Sequence, residues 1–102
     1  MSAEATPTLE GLKRYTGALA PEDEPVLELA LEAAIEWFKA SGVPDYAQNS
    51  RLWVLAVYEL AAHKFENRGA VGGETPPIPR GIFGLAHTLK HTPAPVREEA
   101  AP

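Results

Sequence analysis

Glu59, His63 and Glu66 stand at i, i+4 and i+7, which puts them on one strip of a helix and could offer oxygen, nitrogen and oxygen donors to a metal. A zinc or di-iron centre needs more ligands converging from other helices, and no Glu-x-x-His motif occurs to supply them. The strip therefore reads as side-chain hydrogen bonds or contacts between subunits, because polar groups carried into a packed region must be paired. His87 and His91 form a second i, i+4 pair, but Thr88 stands where a metalloprotease helix carries its glutamate, so solvent-facing histidines are expected. Glu28, Glu32 and Glu36 could act as paired carboxylates in acid–base chemistry; a solvated helix face explains them with fewer assumptions. Gly69-Ala70-Val71-Gly72-Gly73 is followed by no Lys-Ser/Thr and preceded by no strand, so it is no phosphate loop. Ser2, Ser41 and Ser50 lie at helix ends or near the N-terminus with no histidine close in sequence, and nothing favours hydrolysis. The expectation is a protein without catalytic residues, metal or cofactor.

The elements that would position these groups must come from 102 residues, enough for one domain. A chain of this size hides only about 60–70 % of the surface its unfolded form exposes, so surplus apolar surface calls for a partner. Nine Lys+Arg against fourteen Asp+Glu leave a net charge of −5, which repels phosphate backbones and leaves no basic footprint for reading nucleic acid. The absence of cysteine excludes a disulfide framework and thiol catalysis and fits a reducing cytoplasm. Met1 to Thr6 carry neither a basic region nor an apolar run, so no signal peptide is expected there. The longest apolar stretch, Leu52 to Ala62, is interrupted by Glu59 and falls short of the ~20 residues of a membrane span, so a soluble protein is expected.

Periodicity predicts four helices and an all-α bundle. Leu9, Leu12 and Tyr15 follow the cap candidate Thr8 in a short helix ending near Gly17. The acidic turn Pro21 to Pro25 starts the second: Asp23 suits a cap and Pro25 the first turn. From Glu24 to Ser41, Leu27, Leu31, Ala34 and Phe38 make one face, with Ala30 and Trp37 beside them and Glu28, Glu32, Glu36 and Lys39 opposite; Gly42 ends the run. The third helix, about Ser50 to Arg68, is apolar nearly all round except for the Glu59, His63, Glu66 strip. Three other short helices should cover it only in part, so some of its surface is expected to meet a neighbouring subunit. Gly69 to Pro79 reads as a loop, and Ile82, Leu85, Ala86 and Leu89 mark a last helix from Arg80 to His91. The division expected is an extension over residues 1–7, a helical domain over 8–91 and an extended polar tail over 92–102. The core should hold Leu31, Ile35, Phe38, Leu52, Leu55, Tyr58 and Leu60, with Trp37 and Trp53 at least partly buried.

Leu60-Ala61-Ala62-His63-Lys64-Phe65-Glu66-Asn67-Arg68, then a Gly-rich loop, then Ile78-Pro79-Arg80-Gly81-Ile82, resembles the head–tail connector (DNA-packaging or adaptor) family of tailed bacteriophages and prophages. The likeness runs from Thr8 to about Lys90. It rests on Thr8-Leu9-Glu10-Gly11-Leu12-Lys13, the acidic turn before an Ala/Leu/Glu helix, the His-x-x-Glu-Asn-Arg helix end and the Ile-Pro-x-Gly start of the last helix. Two departures touch the portal-facing part: Gly69 stands where members often continue with Glu, and His87 to Thr92 does not reproduce their Pro-Tyr-Arg type ending.

The resemblance implies a small helical bundle whose copies form a ring of twelve beneath the portal, joining head to tail and continuing the DNA channel, with portal and tail or stopper proteins as partners. It implies a place in the virion after synthesis in the bacterial host cytoplasm, with DNA passing through unread and no membrane involved. The contact residues expected on this reading are Leu52, Ala56, Glu59, His63, Glu66, Asn67, Arg68, Val71, Ile78, Arg80, Val96 and Arg97. Glu28, Glu32 and Glu36 are candidates to line the channel, where their charge would let DNA slide. The rival reading is a small helical regulatory or protein-interaction domain; a DNA-binding member of that class would carry several Lys or Arg on one helix, and no helix here does.

Overall fold

Thr8, Gly17 and Gly42 start and stop helices where the pattern puts them. In the computed structural model, which describes residues 6–48, 50–67 and 78–93, α1 spans Leu9–Thr16, α2 Glu24–Ala40, α3 Arg51–Glu66 and α4 Arg80–Lys90. Short 3-10 turns at Pro21–Asp23 and Asp45–Ala47 precede α2 and α3, and the described residues contain no strand. The all-α class with four helices is therefore the observed fold.

Thr8 Oγ1 accepts from the Gly11 N–H at 3.0 Å and Ser50 Oγ from the Trp53 N–H at 3.1 Å, each satisfying a first-turn donor that has no partner within its helix. Asp23 departs from expectation. Its backbone is already helical, at φ −86° and ψ −12°, because the 3-10 turn runs straight into α2, and its side chain makes no capping bond; a capping side chain normally sits on extended backbone. At the other end of α2, the Val43 N–H reaches Phe38 O at 3.2 Å and the Gly42 N–H reaches Lys39 O at 3.1 Å. This is a Schellman closure, which requires the left-handed backbone that Gly42 adopts at φ +102° and brings Val43 down onto Phe38, both buried. The α3 helix stops at Glu66, two residues before the expected Arg68. The Asn67 side-chain amide and its backbone N–H both donate to His63 O, at 2.8 and 3.1 Å, which favours a cap over another turn.

α3 is the central element, packed by α1, α2 and α4. Leu12, Leu27, Ala34, Phe38, Ala56, Val57, Leu60 and Ala61 have no exposed surface and form the centre of the core, with Trp53, Phe65, Ile82, Ala86 and Leu89 around them. Phe38 meets Trp53 edge-on at 5.8 Å and Trp37 at 5.1 Å. The core expected from the sequence holds for Leu31, Phe38 and Leu60, and for Trp53 and Trp37 as buried and half-buried, while Ile35, Leu52 and Tyr58 pack against it half-buried. Leu55 is a correction: it is 40 % exposed, on the side of α3 away from Val57 and Leu60. The other helices cover α3 in part, as its pattern predicts: Leu52, Val54 and Tyr58 stay half-buried and Leu55 exposed. Its other large apolar residues are buried within the chain, because α1 and α4 close sides that α2 leaves open.

Two tertiary contacts pin the ends. The Thr8 N–H donates to the Tyr58 hydroxyl at 3.1 Å and that hydroxyl reaches Thr8 O at 3.3 Å, tying the start of α1 to α3. This depends on Gly11, since a Cβ there would lie 2.9 Å from Tyr58 Cζ and closer still to its hydroxyl. The Tyr46 hydroxyl donates to Thr92 O at 3.0 Å and holds the end of α4 to the α2–α3 connection. Lys13 Nζ bonds Glu24 Oε2 at 2.7 Å across the α1–α2 turn, and this partner holds the ammonium above its usual range.

Candidate interaction surfaces

The strip of Glu59, His63 and Glu66 falls on one wall of a cleft of about 270 Å³. Ala62 adds apolar surface from the same helix, Tyr15 comes from α1, and Pro79 and Ile82 from the start of α4. Glu59 and His63 are half-buried and Glu66 is exposed. His63 Nδ1 lies 3.3 Å from the Asn67 amide nitrogen, so the ring is oriented by the residue that caps its own helix. Tyr15 stacks at a tilt on Tyr58, ring centres 5.7 Å apart. Its phenol is pushed above the usual value, first by burial and then by the carboxylates of Glu59 and Glu66.

Among the described residues no group of three or more His, Asp or Glu side chains is placed to hold a metal. His87 on α4 and His91 just past its end are exposed, with ring centres 4.4 Å apart and no carboxylate joining them. No polar or charged residue is buried among the described ones, so the core is dry. The cleft thus combines an apolar floor, acidic walls and one oriented imidazole.

The other expected contact residues divide clearly. Leu52 and Ile78 are half-buried against the core, Asn67 is half-buried at the cap and Arg80 is exposed at the start of α4. Ala56 has no exposed surface and belongs to the interior, so in this fold it offers nothing to a partner. Arg68, Val71, Val96 and Arg97 lie outside the described residues. Glu28, Glu32 and Glu36 are all exposed along α2.

The sequence reading missed the apolar residues beside those carboxylates. Leu29 is 68 % exposed and, with Val26, Ala30, Ala33 and Lys64 of α3, lines a second depression of about 280 Å³. Helical projection carried the signal: Leu29 lies three residues before Glu32 and seven before Glu36, within the acidic side and not on the core face. Phe83 is likewise 52 % exposed, its ring edge-on to Trp37 at 5.5 Å. No described helix is long and apolar enough to cross a membrane. Comparison with protein-family models, with curated proteins and with solved structures finds no match.

Proposed function

We propose that the chain is a head–tail connector of a tailed phage or prophage-like particle, a structural subunit whose copies form a ring under the portal and continue the DNA channel toward the tail. One observation carries the reading. The two segments that most resemble connector proteins, the His63-x-x-Glu66-Asn67 helix end and the Ile78-Pro79-x-Gly81 start of the last helix, are separated in sequence yet border the same cleft through His63, Glu66, Pro79 and the adjoining Ile82. A motif split across two helices and meeting at one cleft is what a shared contact surface requires. Self-association through unlike surfaces forms rings where the rotation between copies closes, which suits such a subunit. The protein does no chemistry in this role: it holds position, and its net negative charge keeps DNA moving without adhesion.

The test is electron microscopy of the purified protein, alone and mixed with portal rings. Rings with a central hole, or an added layer beneath the portal, are the expected images. Monomers that leave the portal bare would overturn the reading. Glu66→Lys and His63→Ala in the cleft should weaken attachment or ring formation while leaving helicity unchanged.

A further inference from the structure

Two exposed helix strips are equal in length and opposite in charge. On α2, Val26, Leu29 and Ala33 form an open apolar line, and Glu32 and Glu36 stand beside Leu29 at i+3 and i+7, all exposed except the half-buried Ala33. On α4, Phe83 is the exposed apolar centre, with Arg80 three residues before it, His87 four after and Lys90 seven after, all exposed. The α4 helix contains no acidic residue, whereas the outer side of α2 carries Glu28, Glu32 and Glu36. Each strip runs eleven residues, from Val26 to Glu36 and from Arg80 to Lys90, about 15 Å of helix between its end residues. Among the described residues the ion pair is Lys13 with Glu24, so the charges of both strips are without ionic partners there.

The α4 strip is unable to satisfy the α2 strip within one chain. The adjoining side of α4 buries Ile82, Ala86 and Leu89 in the core, and turning Phe83 onto Leu29 would pull those residues into water. Another copy of the chain offers the complementary strip at no such cost. We infer that copies of this chain associate by laying the α4 strip of one, Phe83 between Arg80 and Lys90, onto the α2 strip of another, Leu29 beside Glu32 and Glu36. Phe83 then enters the depression between Leu29 and Ala33, and the two cations face the glutamates; Lys64 lies on the α3 wall of that depression. Unlike strips meeting in this way form a contact that can repeat around a ring. The inference rests on the ring-forming reading above and assigns the faces that would build it.

A charge-swap experiment tests it with the full chain. The Glu28→Lys/Glu32→Lys/Glu36→Lys variant has two basic strips, and the Arg80→Glu/Lys90→Glu variant has two acidic ones. Sedimentation equilibrium should show each variant associating at least about tenfold more weakly than the unaltered chain, and a mixture of the two associating again, because each then supplies what the other lacks. Raised salt should weaken the unaltered chain's association. Circular dichroism checks that the variants are folded, and Leu29→Ser and Phe83→Ser, both at exposed positions, repeat the test should a charge variant fail to fold. Folded variants that associate as the unaltered chain does, or a mixture that fails to regain association, would overturn the pairing of strips. Rings persisting in all four variants overturn the pairing and leave the connector reading standing. An unaltered chain that stays monomeric in free solution also overturns the pairing, and its binding to portal rings then decides the connector reading separately.

Discussion

α2 and α3 are nearly equal in length, at 17 and 16 residues, and run side by side, yet they place their apolar residues in opposite ways. α3 is apolar on almost every side and is covered on most of them, because it has three helical neighbours. α2 lies at the periphery and buries one face through Leu27, Leu31, Ala34 and Phe38, but it leaves Leu29 and Val26 in solvent among glutamates. The difference teaches that apolar content alone does not locate an interaction surface. A central helix uses such residues to hold its own chain together, whereas a peripheral amphipathic helix with an apolar residue among its charges has surface to offer a partner.

The strongest way to break this contrast is to shorten matched leucines. Leu60→Ala, in the wholly buried part of α3, should cost about 2–5 kcal/mol, a large share of the stability of a domain this small. Leu29→Ala should change stability by less than about 0.5 kcal/mol while reducing association, as surface substitutions do. Leu55→Ala should fall between, on the order of 1 kcal/mol, since its side chain is partly covered. Denaturant titration of the three variants measures the order, and a Leu29→Ala loss as large as that of Leu60→Ala would mean that α2 is covered within the chain.

A smaller effect probes how α1 closes one side of α3. Gly11→Ala should cost about 1–3 kcal/mol, because the added Cβ displaces the Tyr58 ring and breaks its bonds to Thr8. In a Tyr58→Phe background, which lacks the hydroxyl, the same change should cost less; equal costs in both backgrounds would show that the hydroxyl is not the obstacle. Removing the cap of the central helix with Ser50→Ala should cost about 1 kcal/mol, read as a lower melting temperature.

The subtlest test concerns the acidic cleft. Folded Tyr15 holds its proton more tightly than the ordinary phenol at 10.0, so the stability linked to it is present in full below pH 10.0 and is lost as pH rises through the folded value. Glu59→Gln and Glu66→Gln should each bring the Tyr15 titration partway back toward that ordinary value, followed by the absorbance of phenolate. Partial burial of Tyr15, which is 46 % exposed, is the leading cause of the shift, so a titration that returns completely in either variant would mean that the carboxylates alone set it.

Much of this architecture was legible in order along the chain. Thr8 and Ser50 cap their helices, Gly17 and Gly42 end theirs, and the apolar spacing of α2 and α4 marks the faces they bury. These features were readable because a cap bond or a helical repeat involves residues within about a turn of one another. The strip of Glu59, His63 and Glu66 was readable for the same reason.

Tertiary structure alone decided what stands opposite each face. That Tyr15, Pro79 and Ile82 complete the cleft, that Ala56 is interior and Leu55 is not, and that the Tyr58 hydroxyl meets Thr8 fifty residues away all depend on how the helices pack. Helical periodicity gives the direction of a side chain about its own axis and says nothing of the distance or angle of the neighbouring axis, which is set by the summed packing of side chains far apart in sequence.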